Sequence, residues 1–316
     1  MISDHDRLQR FEGSFCCLDS ISEGIMPIKR ALVAGLGLFA LSGLCHADSV
    51  DYNTPGDLTA KFNLNNQTGT GGFTQVSSGG IGDSGAVDIT AGPSGTLDVT
   101  AVYNVKSYNL DNGPIRLSQA VKVLTQYTSG DRLLQLGLID DTATGHQLNG
   151  GGAAIADFIS ARLFPTAAPA AGATTGPFVW QVQAGQSTAG APTATSNNAA
   201  SAAFNLILGD WYQFSVDITK NATPSSFTVS GLLQDLGADG LTPGTTLTFG
   251  PETSSNTSTP EIYADTTVFG AYRGHASTGG ADMYDNFSIT QPVPEPASFG
   301  LLGLAAMAMG ARRRRK

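Results

Sequence analysis

The chain has 316 residues, a formal net charge of −9 at pH 7, 39 glycines and three cysteines. This length allows one large domain with its own hydrophobic core. The acidic balance argues against a nucleic-acid partner, because non-specific binding to nucleic acid needs a basic surface. The last cysteine is Cys45, so a body that begins beyond this residue has no disulfide and no thiol chemistry.

The N-terminal region has the pattern of an export signal. The basic pair Lys29-Arg30 precedes an apolar run at 31–44, and Cys45-His46-Ala47 then places small residues at the two positions that a signal peptidase reads. We therefore expect a signal peptide at residues 26–47, with cleavage after Ala47 by signal peptidase.

Two further features concern this end of the chain. A lipoprotein signal at Cys45 is disfavoured, because Leu44 occupies a position where a small residue is needed. Residues 1–25 carry five acidic residues and resemble neither the basic start of a signal peptide nor a domain. We interpret them as an over-extended start, with Met26 as the natural first residue.

The segment 48–292, which we predict to be the exported body, is more acidic than the whole chain. It holds eight Lys and Arg residues against twenty Asp and Glu residues, a net charge of −12. Cations at the C-terminal end of the chain mask part of this charge. Such a charge favours solubility.

The body consists of short alternating runs that are separated by Gly, Asn, Asp, Ser and Thr. Alternation of apolar and polar residues predicts strands with one buried face. The predicted strands are 96–103, 120–127, 133–139, 154–163, 178–182, 211–218, 227–233, 245–249, 266–272 and 284–289. This number of strands, with almost no helical periodicity, indicates an all-β fold of two antiparallel sheets.

Three segments of the body are less regular. Residues 65–85 and 165–195 are rich in small and turn-forming residues and are predicted loops, the second long enough to elaborate one edge or face. Residues 199–208 form a weak helical pattern before Gly209.

Two motifs resemble concanavalin A-like (LamG-like) jelly rolls. Gly209-Asp210-Trp211-Tyr212 leads into an alternating strand, and 283–289 is similar to the closing Asp-Asn-Phe strand of such domains. The resemblance spans about 57 to 290 and implies a jelly-roll sandwich, in which 56–62 would be an edge strand. The motifs are short, so a β-sandwich of another topology, with the same aromatic residues in its core, stays open.

No catalytic constellation is found in the body. Glycanases on this fold need paired carboxylates about 5 to 5.5 Å apart, but the body has only two glutamates, Glu252 and Glu261, each directly after a proline. His146 and His275 lack metal-ligand spacing and are interpreted as loop residues. We expect a non-catalytic protein that associates with an extracellular polysaccharide. The alternatives are a carbohydrate-binding module and a divergent glycan-active enzyme.

Sugar sites usually contain aromatic side chains, and the body has two tryptophans. We predict that Trp211 belongs to the core, whereas for Trp180 both a core position and a stacking position stay open. No sugar site follows from the sequence.

A structural Ca²⁺ ion is the one cofactor that the acidic residues suggest. Asp140 and Asp141 are adjacent at the end of a predicted strand, where they repel one another unless water or a cation lies between them. Asp285 is a third candidate ligand, because jelly rolls of the resembled kind often hold an ion near their closing strand. Solvated loop carboxylates are the alternative.

The C-terminal end combines three parts in a fixed order. Val293, Pro294, Glu295 and Pro296 form a motif that the prolines keep extended. An apolar stretch at 297–311 follows, about 22 Å long as a helix and short against a hydrocarbon core of roughly 30 Å. The chain then ends in a basic stop of Arg312, Arg313, Arg314, Arg315 and Lys316, which the positive-inside rule holds in the cytoplasm.

This order resembles the PEP-CTERM sorting signal. The resemblance implies a transmembrane helix, cleavage by an exosortase-type membrane peptidase, transient anchoring in the inner membrane and a final place in the cell envelope or extracellular matrix. An ordinary C-terminal anchor after a proline-rich linker is the alternative. The predicted organisation is therefore an over-extended start at 1–25, a signal peptide at 26–47, a β-sandwich at 48–292 and a sorting signal at 293–316.

Overall fold

The computed structural model describes residues 45–69, 71–92, 96–123, 127, 133–142, 148, 157–188, 191–254, 261–276 and 281–292. All of them belong to one compact unit, Gly43–Lys316. The predicted sorting motif, its apolar stretch and basic stop, and most of the predicted signal peptide lie outside these residues. None of the helices in the described ranges is long and apolar enough to span a membrane.

Sixteen strands and one short helix are described, in the order β1 (Cys45–Val50), α1 (Asp57–Lys61), β2 (Phe62–Thr68), β3 (Gly71–Val76), β4 (Ala86–Ala91), β5 (Leu97–Tyr103), β6 (Ile115–Lys122), β7 (Leu134–Ile139), β8 (Phe158–Pro165), β9 (Thr175–Thr188), β10 (Ala191–Ala200), β11 (Phe204–Ile207), β12 (Trp211–Lys220), β13 (Phe227–Gly237), β14 (Thr246–Thr253), β15 (Phe269–Ala276) and β16 (Ala281–Pro292). Three 3₁₀ turns lie at Ile81–Asp83, Leu110–Asn112 and Glu261–Tyr263.

The strands form two antiparallel sheets. Sheet A has the order β14-β13-β12-β6-β16-β4-β3, and β1 also pairs with β16. Sheet B has the order β10-β9-β8-β7-β15-β5-β2, and β11 also pairs with β9. The predicted all-β, two-sheet antiparallel fold is confirmed.

The main core lies between the sheets, because alternate residues of each strand point inward. In sheet A, Phe214 and Val216 of β12 are buried, and in sheet B, Leu134, Leu136 and Leu138 of β7 are buried in the same cluster. Each such side chain stabilises the fold by about 1.5–3 kcal/mol through burial.

The ten predicted strands all have observed counterparts, although seven of them, β6, β8, β9, β13, β14, β15 and β16, have at least one bound that differs by three or more residues. The run predicted at 120–127 is β6, which begins at Ile115 and ends at Lys122. The runs predicted at 154–163 and 266–272 are β8 and β15, which begin and end later.

Three predictions about the less regular segments were wrong. The expected edge strand at 56–62 is the helix α1, preceded by Gly56 at φ 89°. The weak helix at 199–208 is instead the strand β11, whose backbone pairs with β9. The predicted loops at 65–85 and 165–195 contain β3 and β9.

Candidate functional site

A row of polar side chains crosses the outer face of sheet B. Register places one residue of each strand side by side: Asn65 of β2, Thr100 of β5, Arg273 of β15, Gln135 of β7, Arg162 of β8 and Gln181 of β9. These residues alternate with core residues of the same strands, so they point away from sheet A. We call this set the polar row.

Asp98 joins the polar row to the histidine of β15. His275 Nδ1 lies 2.6 Å from Asp98 Oδ1, and Arg273 Nη2 lies 2.8 Å from Asp98 Oδ2. The prediction that His275 is a loop residue was wrong, since it lies in β15 opposite Asp98. His146 lies outside the described residues. A guanidinium as buried as that of Arg273 needs such a counter-charge.

The rest of the polar row is joined by side-chain hydrogen bonds. Gln135 Nε2 donates to Ser160 Oγ at 2.7 Å and to Gln183 Oε1 at 3.1 Å, and the guanidinium of Arg162 donates twice to Gln181 Oε1. The same face carries an apolar cluster to which Leu148 contributes together with Phe158 and Ile139. Among the described residues of this face, Thr100, Gln135 and Arg273 have no exposed surface.

The predicted calcium ligands are not brought together. Asp140 follows β7, and its N–H donates to the carbonyl of the buried Asp157 at 3.1 Å. Among the described residues, no three His, Cys, Asp or Glu side chains form a group that would hold a metal ion. Calcium at Asp140 and Asp141, and at Asp285 near the closing strand, stays a prediction.

Asp285 instead connects β16 to the loop before β4. Its Oδ2 accepts the Ile81 N–H at 3.0 Å and the Ser84 hydroxyl at 2.8 Å, and its Oδ1 accepts the Asn286 N–H at 2.7 Å. Burial raises the pKa of this carboxyl above its ordinary value, although these hydrogen bonds oppose the rise. A Cβ on Gly80 would lie 2.7 Å from Oδ2, so the approach of the loop requires a glycine.

Neither tryptophan offers a face to a ligand. Trp180 is buried in the main core, where its ring stacks on Phe249 with centroids 5.6 Å apart. Trp211 is also buried, with the amine of Lys122 at 5.9 Å from its ring centroid. The structure thus resolves the open alternative for Trp180 in favour of the core.

A pocket of about 340 Å³ that the sequence did not indicate lies beside Tyr263. We call it the Tyr263 pocket, and it is lined by Leu110, Asp111, Gly113, Thr219, Lys220, Asn221, Ala222 and Tyr263. Lys220 Nζ lies 2.6 Å from Asp111 Oδ1 and 4.5 Å from the centre of the Tyr263 ring. The Tyr263 hydroxyl donates to the Asn221 carbonyl at 2.5 Å. Because the lining comes from three distant segments, no local pattern reveals it.

The outer face of sheet A holds a second, shallow groove of about 310 Å³. Three serines in register line it, Ser49 of β1, Ser288 of β16 and Ser118 of β6. The predicted cleavage residue Ala47 lies at the edge of this face, exposed and paired with Thr290.

Comparison with known proteins identifies the C-terminal segment. Residues 292–315 match the family model of the PEP-CTERM protein-sorting motif. The predicted sorting motif 293–296 and the arginines of the basic stop fall within this match. The chain therefore carries a signal that marks it for export with transient membrane anchoring, with an exosortase as its processing partner. A search of curated proteins found no match.

Solved structures show similarity at low sequence identity. Peanut lectin with a 9mer peptide has 11% identity and a TM-score of 0.44, covering 80% of this chain and 100% of that chain. Lectin II from Ulex europaeus has 11% identity and a TM-score of 0.44, covering 78% and 98%. Alginate lyase vAL-1 from Chlorella virus has 11% identity and a TM-score of 0.43, covering 77% and 98%.

Proposed function

We propose that this chain is the precursor of an exported, non-catalytic protein of the cell envelope or extracellular matrix, and that its body associates with a glycan. The observation that carries the proposal is the sorting-motif match at 292–315. Its position supports removal of the tail, because β16 ends at Pro292 and the motif begins there. Cleavage within the motif releases the sandwich without loss of a strand.

Mass spectrometry of the final product tests the processing. We expect a C-terminus within or near 293–296 and no peptide from the basic stop. A Pro294→Ala, Pro296→Ala double variant serves as the control, and we expect it to retain the tail because its motif is no longer held extended. An intact arginine-rich end in the final wild-type product would refute the sorting role.

The Tyr263 pocket is the surface that best supports glycan binding. Sugar sites combine an aromatic face with a few polar groups, in pockets of roughly 300–1,000 Å³. Tyr263 supplies the ring, while Asp111, Lys220 and Asn221 supply carboxylate, ammonium and amide groups. The body's net charge of −12 repels polyanions, so we propose a neutral polysaccharide as the ligand.

A glycan array with the exported product tests this ligand. The Tyr263→Ala variant removes the ring, and we expect roughly a two-fold to thirteen-fold loss of binding, the effect of losing one stacking contact at about 0.5–1.5 kcal/mol. The matched control is Tyr263→Phe, which keeps the ring and loses only the hydrogen bond to Asn221. Equal glycan binding by the wild type and Tyr263→Ala would place the ligand elsewhere.

The proposal that the protein is non-catalytic is supported by the burial of the polar and charged side chains that could otherwise take part in catalysis. Arg273 and Gln135 have no exposed surface, and Asp98 already bridges Arg273 and His275. Among the described residues, the buried Leu148 and Phe158 belong to an apolar cluster that includes Ile139, on the same face as the polar row. Activity screening on polysaccharides tests this part of the proposal. If the wild type degrades a polysaccharide and the His275→Gln variant does not, the protein is a glycan-active enzyme instead.

A further inference from the structure

The first strand and the last strand of the body pair with each other. Six residue pairs connect β1 and β16, from Cys45 opposite Pro292 to Val50 opposite Phe287. Partners in an antiparallel ladder have Cα atoms roughly 4.5–5.5 Å apart. The chain therefore enters the body beside the point where it leaves, and that exit point is the first residue of the sorting-motif match.

The strand β1 is fastened by side chains as well as by its ladder. Val50 is buried in the main core. The carboxylate of Asp48 accepts the Tyr108 hydroxyl at 2.6 Å and lies 3.5 Å from Lys106 Nζ. Asp48 becomes the N-terminal residue if cleavage follows Ala47. Its contacts with Tyr108 and Lys106 therefore hold the new chain end in place.

We infer that β1 and β16 form a clasp that fixes the order of processing, with the Ala47–Asp48 bond open to signal peptidase only before β16 arrives. A peptidase binds its substrate as an extended segment through the backbone groups of that segment. In the ladder every second residue of β1 directs its backbone groups to β16, so the segment is already held in a sheet and cannot leave it to enter a peptidase cleft without breaking those bonds. Since β16 follows β1 by more than 200 residues, the clasp closes after nearly the whole body has been exported.

The inference rests on the proposed function, because it takes cleavage after Ala47 as given. Water adds across the Ala47–Asp48 amide and leaves a carboxylate on Ala47 and an amino group on Asp48. Three ladder pairs, Asp48 to Val50, remain in the product. The tail is cut later, at the sorting motif that follows β16 in the chain.

Delayed cleavage of the full-length precursor tests the order. The precursor is exported while signal peptidase is inhibited, is allowed to fold, and the inhibitor is then removed. We expect cleavage of this folded precursor to be at least ten-fold slower than cleavage of nascent chains. Ser49→Pro should restore the fast rate, because proline fixes φ at about −65° and so disfavours the extended conformation that β1 needs, whereas the matched control Ser49→Thr should stay slow.

The outcomes of this experiment distinguish failure of the clasp from failure of the predicted signal peptide. A folded wild-type precursor that is cut as fast as nascent chains would overturn the clasp, and so would a Ser49→Pro precursor that stays resistant. If nascent chains are not cut after Ala47 at all, the predicted signal peptide fails instead.

Disulfide trapping tests the clasp without a peptidase. In a Cys16→Ala, Cys17→Ala, Cys45→Ala background, the pair Ser49→Cys, Ser288→Cys joins two residues that face each other across the ladder. We expect it to form a disulfide in the full-length chain under mild oxidation. The control pair Ser49→Cys, Ser118→Cys lies two strands apart, roughly 9.6 Å, beyond the limit of about 7 Å for a disulfide. Failure of the first pair to oxidise would show that β1 does not pair with β16.

Discussion

Two ion pairs of the sandwich differ sharply in their surroundings. Arg273 and Asp98 lie 2.8 Å apart with side chains 0% and 13% exposed. Arg116 and Asp217 lie 2.7 Å apart on the outer face of sheet A with side chains 59% and 34% exposed. Water screens the exposed Arg116–Asp217 pair. Removal of the Asp98 charge, in contrast, leaves the buried guanidinium of Arg273 without the counter-charge that Asp98 supplies.

We predict that Asp98→Asn lowers the free energy of unfolding by about 3–5 kcal/mol, the usual cost of breaking a buried pair. The matched control is Asp217→Asn, for which we expect a loss of about 0–1 kcal/mol. Urea denaturation of both variants measures the difference. Equal losses would mean that the polar row is open to solvent and would reopen its role as a ligand site.

Asp285 gives a pH dependence of defined sign. Burial raises its pKa in the folded protein, so between the ordinary value of 3.8 and the raised value the folded state binds more protons than the unfolded state. Stability contributed by this group is therefore present at low pH and falls as pH rises through that window. We expect the stability difference between wild type and Asp285→Asn to shrink from pH 3 to pH 6 in urea titrations. A difference that grows with pH would show that the hydrogen bonds outweigh burial.

The roles of these residues were only partly predictable. A carboxylate at position 285 in a closing strand suggested a metal ligand, yet its partners Ile81 and Ser84 lie some 200 residues earlier. His275 looked like a loop residue beside Gly274, because nothing local shows that Asp98 lies opposite on β5. Both depend on strand register, and register is not a local property of the chain.

At the scale of elements, alternation located strands well because it reports burial on one face. It failed where tertiary contacts set the conformation. The helix α1 follows the Pro55-Gly56 turn, has Lys61 3.1 Å from Asp57, and its Leu58 N–H donates to Gln75 Oε1. Four residues were too few for β11 to show alternation, and pairing with β9 overrode the helical preference of the preceding alanines.

The assignment of β11 as a strand predicts that alanine substitutions at two neighbouring residues lower the stability by very different amounts. Leu206 is 2% exposed and Ile207 is 45% exposed. We expect Leu206→Ala to cost about 2–5 kcal/mol, since it leaves a cavity in the core. Ile207→Ala should stay within about 0.5 kcal/mol, as is usual for surface changes. Thermal or urea unfolding measures both, and a larger loss for Ile207→Ala would show that the face of β11 is reversed.

At the scale of the whole molecule, repulsion and ion pairing compete. The body holds eight cationic and twenty acidic residues, so at least twelve acids have no cation to pair with. The exposed pair Arg116–Asp217 contributes about 0–1 kcal/mol, and the pairs Lys61–Asp57 and Lys220–Asp111 each have one partner that is less exposed. Net charge of this size destabilises a compact state through self-repulsion.

We therefore expect added salt to stabilise the exported body. Between 0.01 M and 0.15 M NaCl the Debye length falls from about 30 Å to about 8 Å, which screens long-range repulsion more than contacts at 2.6–3.1 Å. The urea midpoint should rise over this range in the presence of a chelator. CaCl₂ at equal ionic strength is the control, and a further rise would support the calcium site predicted at Asp140 and Asp141. A midpoint that falls with NaCl would mean that ion pairing outweighs repulsion.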